Sequence, residues 1–460
     1  MIAGLAGIAV VILAALLIFL GTRVPGLAAP ADGALQRLVT GALAGMVLFH
    51  LLATLLDLTG LGWSVLKLGA GLLILLALFL RFGPKTPEGE RRRLPSDLGW
   101  GDETALLAVV VFALIALTLW VTTPDFVLHW GLKGNRYFLA RGVDYAYLAR
   151  SWGWAIHPDY PQLLPELYAA SALAVGHFDP PALMLWSAVF FALLLAAARE
   201  ILRTAEPFVR QAGIALLAVV LAAFAIRHQM AGAADWMPAL ALIAAIPALS
   251  RPPDAAGDLQ IGVAAAFAAA SKVEGVMLAG LLCLAQLARR PAEGPRLGLS
   301  RLLRLGLLPA LVILPWGLQV RRYHLFTVLS SGGLSWARAK IVGPAVVDAV
   351  NVPGWHGFAW VILLLPLLAL RRSSRPLGFV IAGQLAFYLW IYLVAAFDTE
   401  YYVAMSFPRL LFHLVPAMLV GVMASAERTG HLCSAELGST IAPCKSSPAP
   451  SSKARSSSKA

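Results

Sequence analysis

The sequence contains few cysteines and few charged residues. Cys283, Cys433 and Cys444 are its three cysteines, and their spacing fits neither a metal site nor a disulfide framework. Charged residues make up 13% of the chain and hydrophobic residues 60%, which excludes an ordinary soluble domain. Strand-like alternation is also missing, because the apolar runs are continuous and rich in Leu and Ala. Helices are therefore the expected way to satisfy the backbone in lipid.

Apolar runs close to the length of a bilayer's hydrocarbon core recur along the chain. The expected fold is an all-α, polytopic integral membrane protein with about 13 transmembrane helices. The predicted spans are residues 2–20, 38–58, 62–80, 104–122, 181–202, 211–227, 236–250, a broken pair at 259–288, and residues 302–320, 357–370, 377–397 and 410–425. Residues 162–176 are apolar but short, which indicates a juxtamembrane or re-entrant helix.

Basic residues predict the sidedness of these spans. A net charge of +12 would suggest nucleic acid for a soluble protein. Here Arg clusters in short loops, which is the pattern of cytoplasmic loops, so no nucleic-acid partner is expected. No positive segment precedes the first span, which argues against a cleaved signal peptide and for an outer N-terminus. We expect a multi-pass protein of the cytoplasmic (inner) membrane whose active face is extracytoplasmic.

Four regions follow from this topology. They are an N-terminal three-helix membrane extension at 1–80, a cytoplasmic basic loop at 81–103, a transmembrane domain at 104–425 with outer loops at 122–165, 321–355 and 398–409, and a tail at 426–460. The tail is rich in Ser, Pro and Lys without apolar periodicity, which predicts a disordered cytoplasmic segment.

The outer loop at 122–165 is the longest polar interruption. Thr123 and Pro124 before Asp125 predict a helix start. Helical spacing from Asp125 then places His129, Lys133 and Arg136 on one face, within roughly 80° of arc. A carboxylate beside a basic ladder suits proton removal from a hydroxyl next to a phosphate group. A capped interfacial helix whose polar face merely meets water and headgroups would show the same pattern.

Aromatic and proline-rich residues follow in the same loop. Trp130 and Tyr160 are typical of the aromatic belt of a membrane protein, and stacking on a sugar or a polyprenyl chain is the functional alternative. His157, Asp159 and Tyr160 fall in the segment HPDYP, whose prolines predict a non-helical entry into the next helix.

Two basic residues at predicted span ends are further candidates. Lys272 and Glu274 interrupt the apolar pair 259–288 and should lie at the outer end of a tight hairpin. A lysine at membrane depth is costly unless it meets an anion or water, and snorkelling to the interface is the alternative. The same two alternatives, binding of an anion or snorkelling to the interface, apply to Arg409, which directly follows Pro408.

The order of these motifs resembles the C-type (GT-C) membrane glycosyltransferase superfamily. Asp125, His129-Trp130 and Lys133 come first, and HPDYPQLLP (157–165), SKVEG (271–275) and FPRLLFHLVP (407–416) follow. This order is similar to bacterial family-39-like members, whose relatives include protein mannosyltransferases and lipid A aminoarabinose transferases. The resemblance covers residues 104–425. Family members often begin the first outer loop with two adjacent acids, whereas Phe126 follows Asp125 here.

The resemblance implies transfer of a sugar, with inversion, from a polyprenyl-phosphate-sugar donor to an envelope lipid, glycan or protein on the outer face. It implies that Asp125 activates the acceptor and that Lys272 and Arg409 lie near the donor phosphate. The basic residues of the predicted helical face are also assigned to the phosphate: His129, Lys133 and Arg136. The residues assigned to substrate binding are Trp130, His157, Asp159, Tyr160 and Glu274. No cofactor and no metal-ligand set is expected, although a divalent metal is left open.

Two other functions compete with this interpretation. A secondary transporter or flippase for a lipid-linked or anionic envelope substrate predicts paired broken helices in two repeated halves. The sequence shows one interrupted pair, at 259–288. A scaffold for envelope assembly would explain the spans but not the clustering of acidic and basic residues on one side.

Overall fold

A computed structural model shows how these segments fold. It describes residues 2–29, 32–82, 97–119, 123–150, 156–291, 298–327, 333–351, 359–394 and 398–425. All regular secondary structure in these ranges is helical, which confirms the all-α class. Most of the predicted loop 81–103 and all of the tail 426–460 lie outside the described residues.

The helices are numbered in chain order. They are α1 (Ile2–Thr22), α2 (Ala34–Leu58), α3 (Val65–Phe82), α4 (Trp100–Leu119), a π-helical turn (Asp125–Trp130), α5 (Gly131–Ala140), α6 (Tyr145–Leu148), α7 (Leu163–Val175), α8 (Pro180–Leu183), α9 (Leu185–Ile201), α10 (Pro207–Arg227), α11 (Trp236–Ser250), α12 (Ala255–Ala269), α13 (Val273–Ala288), α14 (Leu299–Arg322), α15 (Trp336–Asn351), α16 (Leu365–Ala369), α17 (Arg375–Val394) and α18 (Thr399–Phe412). After a turn, α18 continues as helical residues 415–425.

Long apolar helices make this a membrane-embedded protein. Within the described ranges, eight helical segments are long and apolar enough to cross a bilayer: Gly4–Thr22, Ala34–Leu58, Trp100–Thr118, Pro180–Thr204, Pro207–Arg227, Leu299–Arg322, Arg375–Val394 and Thr399–Ser425. The shorter apolar helices α7, α11, α12 and α13 accompany them. Trp236, Leu240 and Phe267 are fully buried, so α11 and α12 form the centre of the helical core.

The apolar residues 162–176, predicted as a short helix, do form one, α7, which is buried along nearly its whole length and packs on α5 and α1. Two other segments differ from the sequence-based prediction in their local structure. The predicted outer loops at 321–355 and 398–409 contain helices α15 and α18. The Asp398 carboxylate accepts a hydrogen bond from the Tyr401 N–H at 2.9 Å and caps α18, so polar residues that suggested a loop begin a helix instead. Arg409 therefore lies in the last turn of α18 and not just before a helix.

The first two helices are integrated into the core. α2 packs on α9 and α12 as well as on α1. His50 Nδ1 of α2 lies 2.7 Å from Glu166 Oε2 of α7, and both side chains are buried. The Asp57 carboxylate at the end of α2 accepts a hydrogen bond from the Tyr145 hydroxyl at 2.7 Å. The region predicted as an N-terminal extension thus supports the loop that carries the candidate site.

Glycines allow α1 and α2 to approach each other closely. A Cβ atom on Gly45 would lie 1.9 Å from the Leu17 carbonyl oxygen, and one on Gly21 would lie 1.8 Å from the Gly41 carbonyl oxygen. Helices in lipid associate through such packing because lipid tails are as apolar as leucine. The contact therefore requires a residue without a side chain at these positions.

We expect Gly45→Ala to lower the melting temperature of the purified protein, because forced overpacking costs about 1–3 kcal/mol. Gly280→Ala is the matched control, since Gly280 lies inside α13 and a Cβ atom added there would meet no atom within 4 Å. The control should retain or slightly raise stability, because alanine is the better helix former. Thermal unfolding in detergent, followed by tryptophan fluorescence, measures both. Equal melting temperatures for the two variants would contradict the close contact.

Candidate functional site

A polar cavity of about 680 Å³ lies where several helix ends meet. It is lined by Asp125, His129 and Trp130 of the π-helical turn, His157 and Tyr160 of the next junction, Asp235 before α11, Lys272 and Glu274 at the start of α13, and Tyr402 and Arg409 of α18. The structure thus brings together eight of the residues that the sequence singled out, from four separate parts of the chain.

The π-helical turn determines which side chains of the first outer loop reach this cavity. The Gly131 N–H donates to the Phe126 carbonyl oxygen, five residues earlier, instead of four. A π-turn inserts an extra residue and changes the phase of the side chains that follow. The prediction that Asp125, His129, Lys133 and Arg136 share one face of a regular α-helix is therefore wrong. Asp125 and His129 line the cavity, and the two later basic residues do not.

Three predicted site residues lie elsewhere. Lys133 is fully buried behind the rings of Trp130 and Tyr160, and its Nζ donates to the His157 carbonyl oxygen at 2.7 Å. Arg136 pairs with Asp144 through an Nε–Oδ2 hydrogen bond of 2.9 Å. Asp159 borders a separate, mostly apolar cavity of about 410 Å³ beside α14.

Asp235 is the central residue that the sequence analysis missed. It is completely buried. Its Oδ1 accepts hydrogen bonds from Lys272 Nζ and His413 Nε2, each at 3.0 Å, and its Oδ2 accepts one from Arg409 Nη2. A lone acid between two apolar runs shows no periodic pattern. One signal for such a site was available in the partners of Asp235. His413 follows Arg409 by four residues, and helical neighbours at that spacing share a face.

Arg409 also binds the candidate catalytic acid. Its Nη1 donates to Asp125 Oδ1 at 2.8 Å and its Nη2 donates to Asp125 Oδ2, which is a bidentate pair. Burial raises the pKa of Asp125, but the attraction and hydrogen bonds of Arg409 lower it by more, so this pKa lies below its ordinary value. Asp125 is therefore ionised at neutral pH.

Two imidazoles lie beside this pair. The ring centroids of His129 and His157 are 4.9 Å apart, and His157 stacks on Tyr160 at 4.8 Å. Burial lowers the pKa of His129 to about 4 and that of His157 to about 3. Both rings are therefore neutral at pH 7. His129, which the helical spacing assigned to the phosphate, thus adds no positive charge to the cavity.

Within the described ranges, no three His, Cys, Asp or Glu side chains lie close enough together to hold a metal ion. No protein-family model, no curated protein and no solved structure matches this chain. What the protein does is therefore inferred from its fold and from the side chains of the cavity.

We expect Asp235→Ala to destabilise the protein by about 3–5 kcal/mol, because removal of one partner leaves the other charges of a buried pair uncompensated. Lys272 would lose its partner at 3.0 Å, and Arg409 would keep Asp125 alone. Unfolding in detergent with increasing denaturant measures the loss. Asp254→Ala is the control, since this carboxylate is half-exposed and caps α12 through the Gly257 N–H at 2.6 Å. Loss of that cap should cost about 1 kcal/mol. Similar losses in both variants would contradict the central role of Asp235.

Proposed function

We propose that this protein is a membrane glycosyltransferase that moves a sugar from a polyprenyl-phosphate donor to an envelope lipid, glycan or protein. One observation carries the proposal: Asp125, Lys272 and Arg409 line the same cavity in a membrane-embedded chain. An ionised carboxylate next to fixed cations combines a proton acceptor with groups that stabilise a leaving phosphate. The resemblance of the motif order to C-type glycosyltransferases supports the same function.

The reaction would be a single displacement. The acceptor hydroxyl oxygen attacks the anomeric carbon while Asp125 takes its proton. The bond from that carbon to the phosphate oxygen breaks, and its electron pair leaves with the polyprenyl phosphate. Lys272 and Arg409 stabilise the charge of this phosphate. Attack opposite the leaving group inverts the configuration at the anomeric carbon.

Binding of the donor requires an exchange of partners, because both cations are already paired. Arg409 bridges Asp125 and Asp235, and Lys272 binds Asp235. A guanidinium has five N–H donors, and the Arg409 Nε–H has no partner in the described part of the chain. Arg409 can therefore keep Asp235 while it turns towards a phosphate. That movement would release Asp125 to accept the acceptor's proton.

The proposal also specifies the membrane that the chain crosses and the side of it on which the cavity lies. Together with the shorter apolar helices and segments outside the described ranges, the chain would cross the cytoplasmic membrane about 13 times. Arginines in the short loops favour an extracytoplasmic position for the cavity. A polyprenyl-linked donor held in the outer leaflet could then reach it from the bilayer.

Single-cysteine labelling tests this topology. In a variant with Cys283, Cys433 and Cys444 replaced by serine, we expect Glu400→Cys to react with a membrane-impermeant maleimide in intact cells. Glu90→Cys should react only after the membrane is permeabilised, because the basic residues around it favour the cytoplasm. The opposite pattern would place the cavity on the cytoplasmic side and contradict the proposed site of transfer.

Replacing Asp125 tests the chemistry. Asp125→Asn keeps the shape of the side chain and removes its basicity, so transfer from a radiolabelled polyprenyl-phosphate sugar should fall by about 10²–10⁴. Binding of the donor should persist. Asp144→Asn is the control, because Asp144 pairs with Arg136 away from the cavity, and it should transfer sugar normally. Full activity of Asp125→Asn would assign the base to another residue. Movement of the lipid-linked sugar across proteoliposomes without transfer would favour the flippase alternative.

A further inference from the structure

Besides the Arg409 Nε, three residues of the cavity wall each carry a buried polar atom without a hydrogen-bond partner. These atoms are His129 Nδ1, His157 Nδ1 and Glu274 Oε2, and no group in the described residues pairs with them. All three residues line the cavity. Buried polar atoms are nearly always paired, so three in one wall indicate a ligand that supplies the missing partners. Since no bond to Nδ1 fixes either ring, each imidazole can turn a nitrogen towards the cavity.

The backbone at His157 supports a role for its ring. This residue has φ +47°, in the left-handed region that a non-glycine residue rarely adopts. Its carbonyl oxygen accepts the hydrogen bond from Lys133, and its ring stacks on Tyr160. The surroundings therefore hold an imidazole at the cavity although glycine would fit the backbone better. Strain of this kind is found at functional sites.

We propose that His129, His157 and Glu274 form a subsite for the sugar ring of the donor, and that this subsite selects sugars that carry hydroxyl or amino groups and no carboxylate. The inference rests on the proposed function, because it assumes that the cavity takes a polyprenyl-phosphate sugar. It assigns His129 to the sugar and leaves the phosphate to Lys272 and Arg409.

The position of Glu274 links the two parts of the ligand. Its Oε1 lies 3.3 Å from the Tyr160 hydroxyl and 4.0 Å from Lys272 Nζ. A phosphate at Lys272 would therefore place the attached sugar beside Glu274 and the stacked rings of His157 and Tyr160. Hydroxyl or ammonium groups can donate to the carboxylate, whereas the carboxylate of a uronic acid would be repelled by it.

The lowered pKa of both histidines agrees with this assignment. A neutral imidazole has one N–H donor and one nitrogen acceptor, which matches a sugar hydroxyl that both donates and accepts. The rings of His157 and Tyr160 also line the cavity, so the C–H groups of the sugar can pack against them. The subsite thus combines aromatic rings with unpaired polar atoms.

Binding to the full-length protein in lipid nanodiscs tests the subsite. The probes are polyprenyl phosphate, its glucosyl and mannosyl forms, and its glucuronyl form, with affinities measured by native mass spectrometry. We expect at least one neutral sugar lipid to bind about tenfold more tightly than the bare lipid, as one or two added hydrogen bonds would give. The glucuronyl lipid should bind no more tightly than the bare lipid.

Variants then separate the sugar from the phosphate. His157→Gly should abolish the gain from the neutral sugar and leave the bare lipid unaffected, with stability kept because glycine accepts positive φ. His324→Gly is the matched control, since His324 is exposed, has φ +50° and does not line the cavity. It should retain the gain. Glu274→Gln removes the negative charge and should allow the glucuronyl lipid to bind more tightly.

The outcomes distinguish this inference from the proposed function. Binding of the bare lipid that is lost in Arg409→Ala, without any gain from a sugar, would overturn the sugar subsite alone. Equal weakening of bare and sugar-bearing lipids by His157→Gly would also overturn it, as would tight binding of the glucuronyl lipid to the unaltered protein. No binding of any polyprenyl lipid would overturn both.

Discussion

The geometry of the cavity depends on one buried carboxylate. Asp235 has no exposure and accepts hydrogen bonds from Lys272 at the start of α13 and from Arg409 and His413 of the α18 region. A charge in such a place must be paired, because removing it from water is costly. The segments that supply its partners must therefore meet at the start of α11. Asp235, Lys272 and Arg409 at this meeting point also line the cavity.

The same pairing that permits burial limits what the cations can do. The Arg409 guanidinium binds both Asp125 and Asp235, so without a ligand the charged groups of the site are paired with one another. An anion must compete with carboxylates that are already in place. This competition gives selectivity, since a group that cannot match the planar fork of Arg409 cannot displace a bidentate partner. In the proposed reaction, proton acceptance by Asp125 and phosphate binding by Arg409 would be two consequences of one exchange of partners.

The sequence predicted the helices better than the site. Long apolar runs must be helical in lipid, and the predicted interruption does separate α12 from α13, at residues 270–272, with Lys272 and Glu274 at the cavity. The prediction of a single helical face for Asp125 and the basic residues after it failed because the turn at Asp125–Trp130 is π-helical. The residue pattern of this segment does not distinguish that turn from an α-helix. Asp235 was missed because its role arises from partners far away in the chain. Spacing along a helix carries no information about such contacts.

Lys133 shows why basic residues near a site do not by themselves make an anion site. Its ammonium group is fully buried, and burial lowers its pKa to about 7. It donates to the His157 carbonyl oxygen, a bond that an amine can make whether it is charged or neutral. Its contribution is therefore to hold a strained backbone and not to attract phosphate. Access to the cavity separates Lys272 and Arg409, which line it, from Lys133, which follows the π-helical turn and does not.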